Sequence, residues 1–244
     1  MPDVLSKQDG AVLEITLNRP EHGNGATDEM AVEVTRLIRE AGDTVHCIIL
    51  RGAGSDFCIG RAMMGQPQPQ GPVEAYDRKR AFDVIFNTYG VIRTSPVPVI
   101  GVVQGKAYGF GCAVAAVCDI TLASDTATFQ VPEMGHNILP TMVMSSFIDR
   151  VPRKAFTYLV YSTKVVSAER ALSYGIVSDV VPAAQLEDTV QKTKAAILKA
   201  PAPAIHAVKE YARTAFNMST DGAIDFARNI HAVVNSSSEM RRKH

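Results

Sequence analysis

Apolar and polar residues alternate along residues 12–17 (VLEITL), the two-residue period of a half-buried strand, and Asn18-Arg19-Pro20 stops it. A Gly/Asn loop over 21–26 follows. Met30, Val34, Leu37, Ile38 and Ala41 then recur at helical spacing, with Gly42 as a stop. Residues 45–50 form an unbroken apolar run, as in a strand buried on both faces, and Gly52-Ala53-Gly54 turns the chain after it. Strand, helix, strand in that order predicts a parallel pair joined by a right-handed crossover.

Residues 65–71 (GQPQPQG) read as a Pro/Gln-rich loop, and the stretch from Glu74 to about Arg93 as a helix with Ala81, Ile85 and Tyr89 on one face. A third strand is expected over 97–103. The glycine-spaced turn Gly109-Phe110-Gly111 then opens an Ala/Val-rich buried helix, and a fourth strand covers 120–123. Beyond residue 140 the pattern turns helical, over 143–150, 153–161, 168–174, 186–199, 203–217 and 221–234. Ser167 is a suitable N-cap and Gly175 a suitable stop. Only 176–181 could add a strand. The series predicts an α/β fold, with a helix-covered parallel sheet over 1–182 and a helical C-terminal region over 183–244. Helical appendages with an apolar face pack against other subunits, so an oligomer is expected.

Composition narrows the function. With 244 residues, 46% of them hydrophobic and none of them Trp, the chain can build one sizeable core. Lys+Arg and Asp+Glu both number 25, so the formal net charge is zero, which argues against nucleic acid or an anionic membrane as partner. RRKH at 241–244 reads as a solvated tail. Cys47, Cys58, Cys112 and Cys118 have no CxxC spacing and read as buried free thiols of a reducing compartment. The first ten residues lack a secretory pattern, and no apolar run approaches the roughly 20 residues that span a bilayer. A cytoplasmic protein without a metal site is expected.

The turn at 109–111 carries the chemistry. Glycines let backbone N–H groups approach a ligand closely, and a helix N-terminus adds partial positive charge. A strand, Gly turn and helix in sequence can hold an oxygen anion with backbone alone.

Residues 18–30 (NRPEHGNGATDEM), 52–65 (GAGSDFCIGRAMMG), 99–119 (VIGVVQGKAYGFGCAVAAVCD), 127–140 (ATFQVPEMGHNILP) and 165–182 (VVSAERALSYGIVSDVVP) together resemble, in order and spacing, the crotonase superfamily of enoyl-coenzyme A hydratases and isomerases. The resemblance covers nearly the whole chain. It implies a spiral of ββα units with a helical C-terminal trimerisation region, assembling as a homotrimer or a dimer of trimers. It also implies an acyl-coenzyme A (acyl-CoA) thioester substrate, with coenzyme A present only as part of that substrate and no permanent cofactor. The thioester enolate would be held by two backbone N–H groups, those of Arg61, after Gly60, and of Phe110, after Gly109. The nucleotide end would rest on the loop of His22, Asn24, Gly25 and Ala26, with Cys58, Gly60 and Gly109 lining the site. Arg241, Arg242 and Lys243 stand about where a family terminal helix would complete that end.

The departures from the family pattern are informative. Family hydratases place one carboxylate just after the Gly-turn Cys and another in a downstream Pro-Glu pair. Here position 113 is Ala, while Glu133 is retained. Hydration orients a water between two groups, whereas a 1,3-allylic proton shift needs one base that removes a proton and returns it elsewhere. The resemblance therefore implies Glu133 as general acid/base and favours a Δ3-Δ2 enoyl-CoA isomerase. A hydratase, hydrolase or decarboxylase with a substituted second group is the alternative, and a non-catalytic acyl-CoA-binding or interaction protein the alternative of another class. His136 offers a second acid/base or hydrogen-bonding group, or only a loop histidine. Ala62 replaces a common Asp, Phe110 stands where relatives have a small residue, and Thr141-Met142-Val143-Met144 predicts a bulky, apolar acyl end. Asp119 and Asp125 read as strand-end and turn residues.

Overall fold

The computed structural model describes residues 1–62 and 74–241. The Pro/Gln-rich segment 65–71 and the basic residues Arg242 and Lys243 therefore lie outside the described residues. The chain opens on an antiparallel hairpin of β1 (Val4–Asp9) and β2 (Val12–Leu17). β1 has no apolar period, because only Val4 is buried and the later residues face solvent at the sheet edge, which is why hydrophobic patterning does not reveal it. Helix α1 (Asp28–Arg39) buries Met30, Ala31, Val34 and Ile38. It starts where the Thr27 hydroxyl accepts a bond from the Met30 N–H. Strand β3 (Cys47–Gly52) pairs parallel with β2, as the strand–helix–strand order predicts.

The helix expected over 74–93 is two helices, α2 (Ala75–Arg80) and α3 (Asp83–Thr94). Ala81 lies at the break and is exposed, so it does not share a face with the buried Ile85 and Tyr89. The cause is in the sequence: the apolar stripe of Ile85, Tyr89 and Ile92 begins inside α3, while Asp77, Lys79 and Arg80 are charged and exposed.

Next come β4 (Val99–Val103), β5 (Lys106–Tyr108), α4 (Phe110–Val117), β6 (Ile120–Ser124) and β7 (Thr128–Gln130). They lead to a short 3-10 turn at Glu133–His136. Then follow α5 (Thr141–Phe147), α6 (Arg153–Ser162), β8 (Val166–Ser167), α7 (Ala168–Ser173) and β9 (Asp179–Val181), with α8 (Leu186–Leu198), α9 (Ala202–Thr214) and α10 (Thr220–Asn235) forming the helical C-terminal region. Ser167 caps α7 by accepting from the Arg170 N–H. The short strand within 176–181 is β9.

One sheet has the order β1-β2-β3-β4-β6-β9, parallel throughout except at the β1 edge. A second, smaller sheet has the order β5-β7-β8. Both faces of the main sheet are covered, which explains the unbroken apolar runs of β3 and β4. One face meets α1, α3 and α4 in the main core. The other packs Cys47, Ile49, Ile100, Val102 and Leu122 against Leu186 and Val190 of α8. Every residue of α4 is buried, as its Ala/Val composition predicts. The four cysteines are free and buried, and burial pushes the Cys58 thiol up to about 11. Among the described residues no helix is long and apolar enough to cross a membrane.

Candidate active site

Three chain segments meet at the ends of β5 and β7. The parallel β5–β7 register sets Tyr108 opposite Gln130, and the Gly109 N–H donates to the Gln130 carbonyl at 2.9 Å. The chain therefore leaves β5 through Gly109 beside the point where its neighbour leaves β7 towards Glu133. A Cβ built on Gly109 would stand 2.8 Å from Glu133 Oε1 and 3.7 Å from the Gly60 Cα. Gly109 thus lies beside both Gly60 and Glu133, although the three are far apart in sequence. Gly60 and Gly109 both adopt positive φ, 121° and 49°, where a side chain would add strain as well as bulk.

The third segment is tied in by backbone pairing. Cys58 exchanges bonds with β5: its N–H donates to the Lys106 carbonyl at 3.0 Å, and the Tyr108 N–H donates to the Cys58 carbonyl at 2.9 Å. Two residues on, the pairing switches sides, as the Gly60 carbonyl accepts from the Ala26 N–H at 2.8 Å. In a planar trans peptide the C=O and the following N–H point in opposite directions. The Arg61 N–H is consequently turned away from Ala26. By the same rule the Phe110 N–H points out of the start of α4, because the Gly109 carbonyl accepts from Ala113 inside that helix at 3.0 Å. Neither the Arg61 nor the Phe110 N–H has an acceptor among the described residues. Two unspent donors, one at a helix N-terminus, flank the glycine contact, a combination that can hold an oxygen anion.

Glu133 supplies the carboxylate. Its Oε2 is buried with no hydrogen-bond partner among the described residues. Desolvation raises its carboxyl above the ordinary value of 4.5, against the opposing pulls of its own backbone N–H and of His136. Besides His136, its surroundings include the uncharged Cys112 thiol. Ala113 is fully buried, and Cys112 is fully buried with its thiol pushed up by burial and by Glu133. The Phe110 ring stacks on Tyr89 of α3 at 5.7 Å between centroids.

The remaining sequence candidates divide by position. Ala26 and Cys58 are buried in the backbone pairing that sets the Arg61 loop, and the Cys58 thiol donates to the Gly60 carbonyl at 3.5 Å. Asn24 is fully buried with positive φ, and its side chain is spent within the protein. Its Oδ1 accepts from the Arg19 N–H at 2.8 Å, and its Nδ2 donates to the Ala53 and Asp56 carbonyls at 2.8 and 2.7 Å. Asn24 thus locks the 22–26 loop to the loop after β3. Gly25 lies between them, with its amide donating to the His22 carbonyl. His22 and His136 are exposed, His22 with Glu21 at 3.9 Å. The Arg61 guanidinium turns back to Asp28 at the start of α1, at 2.5 Å. Asp119 and Asp125 accept backbone bonds from Val99 and Ala183, the strand-end and turn roles expected of them. Helical spacing marks Tyr89 only as a core aromatic, and its buried, unpartnered hydroxyl comes to light only in the structure. Among the described residues no cluster of three or more His, Cys, Asp or Glu could hold a metal.

The family described as enoyl-CoA hydratase/isomerase matches the chain over residues 7–243. Over 99% of this chain and 93% of the relative, the chain is 29% identical to the 1,2-epoxyphenylacetyl-CoA isomerase of Escherichia coli (strain K12). It is 31% identical to the probable enoyl-CoA hydratase echA8 of Mycobacterium tuberculosis (strain CDC 1551 / Oshkosh), over 93% of this chain and 87% of that one. A Thermobifida fusca YX structure solved in complex with acetoacetyl-CoA superposes with a TM-score of 0.84 at 25% identity, covering 95% of this chain and 94% of that one.

Proposed function

The chain belongs to the enoyl-CoA hydratase/isomerase family of acyl-CoA enzymes, and from that premise we propose that Glu133 is its single general acid/base, in a Δ3-Δ2 enoyl-CoA isomerase. The observation that carries this reading is a desolvated carboxylate with one unpartnered oxygen, beside two unspent backbone donors and with only the Ala113 methyl on the turn helix.

The thioester carbonyl oxygen accepts from the Arg61 and Phe110 N–H groups. Glu133 removes a proton from C2 of a 3-enoyl-CoA, and the electron pair of the broken C–H bond moves into the enolate held by those amides. The same carboxyl then returns the proton at C4 as the double bond shifts from C3–C4 to C2–C3. Each oxyanion donor is worth about 3 kcal/mol of barrier, and a positioned base contributes about 100-fold to 10,000-fold. Desolvation suits a shuttle that must both take and give a proton near neutral pH. The thioester supplies the whole electron sink, so the chemistry asks for no resident cofactor.

The coenzyme A portion lies along the loop of His22, Gly25 and Ala26, which Asn24 holds in place. His22 is available there as a pH-dependent partner for phosphate. The helical C-terminal region leaves Val208, Phe216 and Val233 at 70%, 85% and 71% exposure, an apolar surface suited to burial between subunits in a trimer. Light scattering tests it: a monomer at micromolar concentration counts against this assembly.

The assay of function offers 3-enoyl-CoA and 2-enoyl-CoA separately and follows absorbance of the conjugated thioester. Wild type should convert the 3-enoyl compound, with kcat/KM rising as Glu133 loses its proton, and Glu133→Gln should lose at least about 100-fold. Isomerisation that survives the substitution removes Glu133 from the role of base. Consumption of the 2-enoyl substrate would favour hydration, with His136, the titratable neighbour that acts on Glu133, as second group.

A further inference from the structure

Tyr89 has no part in the proton shuttle, yet its hydroxyl is placed at the site. The residue is 3% exposed, and its ring lies against the ring of Phe110, the residue whose N–H is one of the two anion donors. The hydroxyl oxygen is buried and has no hydrogen-bond partner among the described residues. An unsatisfied buried hydroxyl costs a fold stability, and phenylalanine would fill the same space without that cost. Orphaned polar groups of this kind are rare in native proteins, and this one lies beside an orphaned carboxylate of the site.

The groups that act on the phenol are those of the same site. Burial raises it well above its ordinary value of 10.0, Cys58, Glu133 and Cys112 raise it further, and Arg61 opposes them. Every one of these residues belongs to the site, and a phenol held in that state is a hydrogen-bond donor at any physiological pH.

Two features restrict what it can donate to. Glu133 Oε2 is also buried and unpartnered, so the two orphaned atoms are not bonded to each other. A tyrosine serving only to orient Glu133 would have satisfied both. The thioester carbonyl already has the Arg61 and Phe110 amides. What remains is a second oxygen on the substrate, carried by the acyl chain near the reacting carbons.

We propose that Tyr89 is a specificity-determining residue whose hydroxyl donates a hydrogen bond to an oxygen on the acyl chain, so that the site selects oxygen-bearing acyl-CoA thioesters, with a keto, hydroxyl or epoxide oxygen, over plain hydrocarbon ones. This rests on the acyl-CoA reading of the site. A hydrocarbon chain leaves the phenol desolvated and unpaired, so such a thioester, the 3-enoyl substrate included, binds more weakly than one that carries the oxygen.

Calorimetric titration of the full-length protein with acetoacetyl-CoA and with butanoyl-CoA tests it, since the two ligands share a chain length and differ in the 3-oxo group. Wild type should bind acetoacetyl-CoA about 10-fold more tightly than butanoyl-CoA, and Tyr89→Phe should bring that ratio close to one. Circular dichroism confirms that the variant is folded, and the wild-type ratio is a test by itself if it is not. Equal wild-type affinities overturn the proposal, as does a preference that persists in Tyr89→Phe. If neither thioester binds wild type, the acyl-CoA reading itself falls, a result distinct from binding without discrimination.

Discussion

Desolvation of Glu133 acts on folding as well as on the chemistry proposed for it. Its carboxyl titrates above 4.5 in the native state, so the folded chain holds that proton more tightly than the unfolded chain. As pH rises from 4.5 the unfolded state ionises first, and native stability falls until the folded carboxyl has also ionised; above that point the whole penalty is present. Glu133→Gln removes the ionisation and keeps the shape. The variant should therefore melt higher than wild type at about pH 7.5, with the gain disappearing at about pH 4, where wild type is protonated in both states. Paired thermal melts at the two pH values check this. A variant no more stable than wild type at the higher pH would contradict a carboxylate buried without compensation. Glu133 was legible in the sequence, through the Pro-Glu pair and its spacing from the glycine turn. Tyr89 was not, because an unpartnered hydroxyl leaves no trace in periodicity, and its helix position reads the same with or without a ligand.

At the scale of elements, legibility follows length and two-sided burial. Strands β3 and β4 are buried on both faces and announce themselves as apolar runs. The second sheet is built from strands of three, three and two residues, too short for any period to show. Those short strands are nonetheless what bring the site together, since the β5–β7 register alone sets Gly109 beside the approach to Glu133. The position of α4 is fixed by contact. A Cβ on Gly111 would fall 2.1 Å from the Cys58 carbonyl oxygen, so the start of the helix lies directly on the loop that presents the Arg61 N–H. The two unspent amides proposed to hold the anion are thereby fixed by a backbone-to-backbone contact that admits only glycine. The sequence shows the glycine, but not that its partner is a loop some fifty residues earlier.

Across the whole molecule, the helical C-terminal region is joined to the main sheet by a charged tether. Lys209 of α9 is buried, and its Nζ donates to both oxygens of Asp119, at 2.7 and 2.6 Å, and to the Ile92 carbonyl at 3.0 Å. Asp119 in turn accepts from the Val99 N–H at 2.8 Å, so one ammonium links α9 to the end of α3 and to the starts of β4 and β6. Burial lowers the pKa of Lys209 while Asp119 opposes it, as for an ion pair whose attraction offsets much of its desolvation. Removing one member leaves the other charged, buried and unpaired. Lys209→Met should therefore cost about 3 kcal/mol in urea unfolding, although methionine keeps most of the packing volume. Adding Asp119→Asn, which retains an acceptor for Val99, should recover part of that loss, so the double variant is more stable than the two single costs would sum to. Additive costs would mean that the pair is not coupled. A loss below about 0.5 kcal/mol for Lys209→Met would mean that apolar contacts alone hold α9 to the sheet.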